Sequence, residues 1–389
     1  MRNVKFRYGI LFSLLMLFAC REKFTLPVKS PPTGYLVVEG FINTGVGPTD
    51  ITLSRSNTVS NQTIYYETGA DVQVEGNDNS VFSLSESIPG VYHSDQLHLG
   101  NAQQYRLRIK TTSGGEYLSV FTEAKSTPPI DSISWQRKDQ NDGVRIYVTT
   151  HDPTGNSHYY YWSFQETWEF HMAFVPKLKY DTIFFPPPQP SIAEVSEIPP
   201  DSSYYRCWSN DSSTAILISS STKLSTDIIS EFPIEFIPPS SIKLSVKYSI
   251  LVSQHTITED AYNFLQIMKK NTEQTGSVFD PQPSELKGNI HSTTNPNEIV
   301  VGYISASSLQ QDRIFISNEQ VPGWNYNSDC FLTAIVNDDR HVRQAIGAGW
   351  VPIKPKDYST GAIDSFYAAI PLCADCRKTG SLARPSFWP

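Results

Sequence analysis

The sequence predicts a mainly β chain: an N-terminal Ig-like β-sandwich followed by a larger β-rich domain with one helical insertion. Three observations carry this. Twenty Phe, 20 Tyr and 7 Trp bring aromatics to 12% of the 389 residues, while charged residues make up only 18%. That is below the usual quarter, so the polar surface must come from Ser, Thr, Asn and Gln, a mixture that favours strands over a disordered or coiled-coil chain. Short apolar runs alternate with polar residues at period two between turn-forming residues, and helical periodicity is clear in one segment alone.

Arg2, Lys5 and Arg7 precede an apolar run over 10–18 that is interrupted only by Ser13, the form of a signal peptide over 1–19. The run is shorter than the ~20 residues of a spanning helix, so it reads as removed rather than retained. Leu17-Phe18-Ala19-Cys20 places a small residue directly before a cysteine, which resembles the lipobox of bacterial lipoproteins; the alternative is an ordinary secretory signal. The resemblance implies lipidation of Cys20 and attachment without a spanning helix, each acyl chain contributing ~0.8 kcal/mol per buried CH₂. Arg21 rather than Asp after the cysteine favours, by analogy with lipoprotein sorting, the outer membrane. Glu22 stands alone between Arg21 and Lys23, so surface display is weakly signalled and the face of the membrane is left open. The precursor has 31 basic and 39 acidic residues; losing the three basic groups of 1–19 leaves 28 against 39, a net charge of -11. Nucleic acid is excluded as a partner by that balance.

Residues 20–34 read as a lipidated N-terminus and proline-containing tether. Seven strand-like runs follow at 35–42, 49–54, 71–75, 80–85, 90–93, 105–110 and 117–122. Val72 and Val74 alternate with Asp71, Gln73 and Glu75; Tyr105, Leu107 and Ile109 alternate with Arg106, Arg108 and Lys110. One face of each is buried and the other wet, which places an Ig-like sandwich at 35–126. Pro128 and Pro129 mark a boundary, and 127–389 form the larger domain. There, runs at 133–138 and 144–149 flank a turn ending Asp142-Gly143, where Gly supplies positive φ cheaply. Further strands are expected at 159–164, 215–218, 242–252, 298–304 and 313–316. The stretch 184–203 carries six prolines and reads as a long exposed excursion. A helix is predicted over 258–271: Thr258 caps it, Glu259 and Asp260 suit its start, and Ala261, Phe264, Leu265 and Met268 share a face.

Cys207, Cys330, Cys373 and Cys376 form an even set in an exported chain, so two disulfides are expected, with three connectivities open. Cys373-Ala-Asp-Cys376 has redox spacing but lacks a strand-to-helix setting, and a four-cysteine zinc site lacks a second close pair. None of the eight histidines begins a His-Glu-x-x-His motif, and no Gly-x-Ser-x-Gly elbow or phosphate loop is present. No catalytic residue, metal ligand or cofactor is assigned. For binding, the aromatic run 159–170 offers Trp162 and Trp168 as a stacking platform, although alternate members belong to the core. Phe184 and Phe185, at the head of the proline-rich stretch, are the better partner surface, because a stiff loop loses little entropy on docking.

The run 35–42, Gly69-Ala-Asp-Val-Gln-Val74, Gly90-Val-Tyr92, Pro128-Pro-Ile-Asp131, Phe279-Asp-Pro-Gln-Pro-Ser284, Asn297-Glu-Ile-Val-Val-Gly-Tyr303 and the closing Cys373-Ala-Asp-Cys-Arg377 with Pro385-Ser-Phe-Trp388 follow one another in an order that resembles a Bacteroidota lipoprotein family, the domain of unknown function DUF4249. The likeness spans nearly the whole exported chain; the proline-rich 184–203 stretch departs from it. It implies an outer-membrane lipoprotein, often encoded beside a TonB-dependent receptor, with no catalytic residues to carry over. The expected function is therefore non-enzymatic: an accessory or substrate-capture partner of such a receptor. The rival is a free-standing surface binder of glycan or peptide.

Overall fold

The computed structural model describes residues 34–57, 63–99, 104–184, 189–273, 286–359 and 361–389. The signal segment, Cys20 and Phe185 lie outside them. In chain order the first strands are β1 Leu36–Asn43, β2 Thr49–Arg55, β3 Tyr65–Tyr66, β4 Asp71–Gly76, β5 Val81–Ile88, β6 Val91–Ser94, β7 Gln104–Lys110, β8 Glu116–Ser119 and β9 Thr122–Lys125. Next come β10 Ile130–Gln136, β11 Val144–His151, β12 Tyr159–His171, β13 Leu178–Ile183, β14 Ile192–Glu197, β15 Arg206–Ser212, β16 Leu217–Ser220, β17 Ile228–Ile237 and β18 Lys247–Thr256. Helix α1 Glu259–Glu273 precedes β19 Ile290–Ser292, β20 Val300–Gly302, β21 Ser305–Ser307, β22 Gln310–Ser317 and β23 Thr333–Val336. Helix α2 Asp339–Gly347, β24 Val351–Ser359 and β25 Ala362–Ala369 complete the order.

The mainly β expectation is met, and the alternating runs bury the faces their sequences mark: Val72, Val74, Leu107 and Ile109 are fully buried. The architecture of the first unit is corrected. Its strands do not form an Ig-like sandwich but one barrel-like sheet, in which β7, β4, β5, β6, β2, β1, β21 and β9 follow one another and β9 pairs back onto β7. Closure works because the run expected at 117–122 breaks at the exposed Val120 and Phe121. The chain thereby leaves β8, which pairs β7 and β19, and re-enters as β9 between β7 and β21. A closed sheet has no edge to protect. Its interior is filled by Leu36, Ile42, Leu53, Tyr92, Tyr105 and Tyr117, and by Ile304 and Ala306 from far along the chain. The sheet that begins at β1 is completed by residues 290–307.

Two sheets face each other in the second unit: β10–β11–β17, and β15–β12–β18–β22 with β16 beside β12. Strands β12 and β18 run together from Tyr160↔Thr256 to Glu169↔Lys247. Val144, Ile146 and Val148 of one sheet meet Trp162, Ile250 and Val252 of the other in a common core. The β10–β11 hairpin forms as expected, but Gly143 is not among the positive-φ residues. A Cβ there would strike the Ile237 carbonyl and the Phe236 ring, so glycine serves for space rather than for φ. Helix α1 is capped by Thr258, whose Oγ1 accepts from Ala261 N–H at 3.2 Å, and it buries Ala261 and Phe264.

The expectation of a single helix is also corrected. Helix α2 packs with β13, β14 and the sheet β23–β25–β24 around Leu178, Ala193, Val195, Val342 and Phe366. Its N-cap Asp338 accepts from His341 N–H at 2.9 Å. The 184–203 stretch is accordingly not wholly an excursion: β14 pairs β13 from Leu178↔Glu197 to Ile183↔Ile192. Both disulfides expected of the four cysteines are present, and their pairing is Cys207–Cys376 and Cys330–Cys373. Each half of the CxxC thus bonds a distant partner and pins the C-terminal segment to β15 and to the loop before β23.

Three consecutive buried residues at the end of β18 join barrel to sandwich. Gln254 accepts from Trp162 Nε1 at 2.8 Å and donates to the Pro128 carbonyl at 2.8 Å and Thr150 Oγ1 at 3.0 Å. Thr256 N–H donates to Thr127 Oγ1 at 3.0 Å. Between them, His255 stacks on Phe41 of β1 with centroids 4.2 Å apart and contacts Ser307 Oγ at 2.9 Å. Burial drives the His255 pKa down to about 4. The unfolded chain takes up a proton near pH 6.5 that the folded chain refuses until about pH 4. Stability is therefore complete above pH 6.5 and is lost as pH falls toward 4, by up to about 3 kcal/mol. Urea midpoints across this window measure the loss. His255→Phe should flatten the slope, and an unchanged slope would locate the acid sensitivity elsewhere.

Candidate functional site

A concavity of ≈ 610 Å³ opens at one end of the sandwich between two segments, 151–158 where β11 passes to β12 and 221–228 where β16 passes to β17. The first loop hangs from the buried Thr150 and Tyr160, and the second runs from the buried Ser221 to the buried Ile229. They are tied to each other by Asp152 N–H donating to the Asp227 carbonyl at 3.1 Å and Ser221 N–H donating to the His158 carbonyl at 3.0 Å. The walls are therefore fixed by backbone bonds before any ligand arrives.

Three side chains here meet the composition of a nucleophilic triad. Their geometry is different. Ser221 Oγ–H donates to the Asp227 carboxylate, which also accepts from Tyr160 O–H at 3.3 Å. With its proton committed, Ser221 Oγ can only accept from His158 Nδ1, 3.4 Å away, and the same nitrogen lies 3.9 Å from Asp227. A triad needs the serine to donate to one ring nitrogen and the carboxylate to hold the other. Ser221 is besides 2% exposed. The Asp227 carboxylate, 3% exposed, works as a buried acceptor that locks the loop. Burial, and then the Asp227 charge, hold the Tyr160 phenol far above its ordinary pKa.

His151 is oriented in the same manner. Its Nδ1 lies 2.7 and 2.8 Å from the two Asp131 oxygens, and this hydrogen bond raises its pKa. Burial pushes the Asp152 carboxyl up, but hydrogen bonds from Thr154 and Asn156 outweigh it and hold the group below the usual carboxylate value. Among the described residues no three metal-ligating side chains come together, and no helix is long and apolar enough to cross a membrane.

The binding residues expected from sequence are scattered. Trp162 is fully buried, with Phe232 stacked at 4.7 Å, so its place in a surface platform is corrected: it belongs to the sandwich core, where truncating such a ring costs about 3–5 kcal/mol. Tyr159 and Tyr161 lie under α1 and β1, against Tyr262 and Phe41. Trp168 is half-buried at a second, smaller cavity of ≈ 220 Å³ that Met172, Tyr326 and Leu372 also line. Phe184 is 81% exposed at the end of β13. The two expected surfaces, Trp168 and Phe184, sit on different units. Sequence reasoning missed the loop pair 151–158 and 221–228, whose only signal was turn-forming composition.

Beside Trp168, Lys243 Nζ lies 5.3 Å from the indole centroid and pairs with the buried Glu166 carboxylate, which accepts from Tyr248 O–H at 2.8 Å. Burial, then the Glu166 charge, raise Glu235 to about 7. Since the folded chain holds this proton more tightly than the unfolded one, the associated stability is complete below pH 4.5 and is lost as pH rises toward 7. Glu235→Gln should therefore melt higher than the parent at pH 8 and match it at pH 4. Equal melting temperatures at pH 8 would show that Glu235 carries no strain of burial.

No curated protein matches the chain. Among solved structures, the alpha-2-macroglobulin of E. coli in its native conformation aligns with 60% of the chain at 10% identity and a TM-score of 0.17, and a Bacillus thuringiensis chitinase, ChiA74, with 54% at 8% identity and 0.15. The chain spans 14% and 29% of those two proteins, and scores this low support no argument about fold. A family model matches residues 21–313, from directly after Cys20 through the barrel and into β22. By that match the chain belongs to the family of the domain of unknown function DUF4249.

Proposed function

We propose that the chain is a non-enzymatic lipoprotein, anchored in the outer membrane through Cys20, that docks on a TonB-dependent receptor and captures or passes on its substrate. The observation that carries this is the β13–β14 hairpin. Its end presents Ile183, Phe184 and Ile192 at 39, 81 and 40% exposure, while Leu178, Ala193 and Val195 at its base are buried. Along β14, Ala193 N–H donates to Asp339 Oδ1 at 2.7 Å and Val195 N–H to Asn337 Oδ1 at 3.1 Å. The base is thus held by side chains of the neighbouring helix and sheet. An apolar group offered to solvent on a stiff support is a docking anchor, because little freedom remains to be lost on binding. The lipoprotein context implied by the sequence names the receptor as the partner, and a net charge of -11 on the exported chain argues against polyanions.

Affinity purification of the chain from gently solubilised outer membranes should recover a TonB-dependent receptor. Phe184→Asp should reduce that recovery at least tenfold while leaving the melting temperature unchanged. A solitary protein in both preparations would refute docking.

A further inference from the structure

We propose that the groove at the sandwich end is a recognition site for an uncharged, hydroxyl-rich ligand, a short neutral oligosaccharide. This deepens the capture half of the function proposed above and rests on it. Asp152 and Asp227 line the groove and Asp131 stands behind His151, and each carboxylate is already occupied by hydrogen bonds from its own neighbours. Asp131 is committed to His151, Asp152 to Thr154 and Asn156, and Asp227 to Ser221 and Tyr160 with 3% of its side chain exposed. No lysine or arginine lines the groove, so it carries no permanent cation to pair with a phosphate or carboxylate.

What faces a ligand is oriented, and the one ring favoured toward its charged form, His151, is matched by the Asp131 carboxylate beside it. His151 gives Nδ1–H to Asp131 and His158 gives Nδ1–H to Ser221, so in the neutral form each imidazole has Nε2 left as an acceptor. Both rings are about half-exposed, at 48 and 46%. Thr222, Ser225 and Thr226 add hydroxyls that both donate and accept along the opposite loop. Leu224 and Ile228, at 54 and 43% exposure, supply aliphatic surface between them. Hydroxyl acceptors and donors interleaved with exposed aliphatic carbon match a sugar, whose ring carries O–H groups at its rim and C–H groups on its faces. The ≈ 610 Å³ volume falls within the ~300–1,000 Å³ of ligand clefts and its form is open, as a chain of several rings requires. The backbone bonds that tie the two loops make the site preformed, which spares the ligand an ordering cost.

A glycan array of neutral, cationic and anionic oligosaccharides, followed by calorimetric titration of the purified chain with maltotriose, cellotriose, laminaritriose and N-acetylchitotriose, tests this. At least one neutral glycan should bind. Its affinity should fall at least tenfold in His158→Ala and in Thr226→Val, with melting temperatures unchanged, and should be retained in Phe184→Asp. Binding confined to cationic or anionic glycans, no binding on the array, or binding indifferent to both groove variants would each overturn the proposal. Receptor recovery separates the two hypotheses: His158→Ala should still bring down the receptor, whereas glycan binding without any receptor would remove docking and leave the groove standing.

Discussion

Much of the molecule hangs on three adjacent buried polar residues, Gln254, His255 and Thr256. A strand alternates its side chains between two faces, so consecutive residues can serve different neighbours only where both faces are covered. At the end of β18 they are. Gln254 satisfies its oxygen and its amide within the sandwich core, through Trp162, Thr150 and the Pro128 carbonyl. His255 crosses to the barrel through Phe41 and Ser307, and the Thr256 backbone takes the linker threonine. An unpaired polar group in such a place costs about 1–3 kcal/mol, so the His255–Ser307 contact, with the bonds to Thr127 and Pro128, favours one arrangement of barrel, linker and sandwich. Thr127 and Pro128, which mark a stiff boundary in the sequence, are buried parts of this joint.

The period-two alternation made the first barrel strands legible one by one, because burial of one face is written directly into residue order. Closure was not written there. The strand that completes the ring is Ser305–Ser307, three small residues with no alternation, paired in parallel with β1 and β9. Its recruitment depends on chain geometry some 180 residues after β9, which no local pattern records. Helix α2 escaped for a related reason: only Val342 and Ala345 of its nine residues are buried, too narrow a stripe to stand out. The four cysteines signalled two bridges, but which sulfurs meet is set by the path of the C-terminal segment across β15 and the 330 loop.

The candidate site shows the same division. The aromatic run 159–170 was conspicuous, and half of it proved to be core because β12 is covered on both sides, by the β10–β11–β17 sheet and by α1 with β1. The groove was inconspicuous because its parts come from segments about seventy residues apart and its chemistry resides in relations between them. That Ser221 gives its proton to Asp227 rather than to His158 distinguishes a structural lock from a nucleophile, and composition is identical in the two cases.

The position of β1 has a mechanical meaning. Any load entering the domain from its N-terminal side arrives at Leu36 and runs along this strand. Residues Leu36–Gly40 are bonded to β2 on one edge, while Leu36–Val38 and Phe41–Asn43 are bonded to β20 and β21 on the other. A pull along the strand therefore loads hydrogen bonds on both edges together, in shear, instead of peeling them singly. The first strand of the barrel resists extraction as a tenon resists withdrawal, and force is passed through Phe41 into His255 and the sandwich beyond.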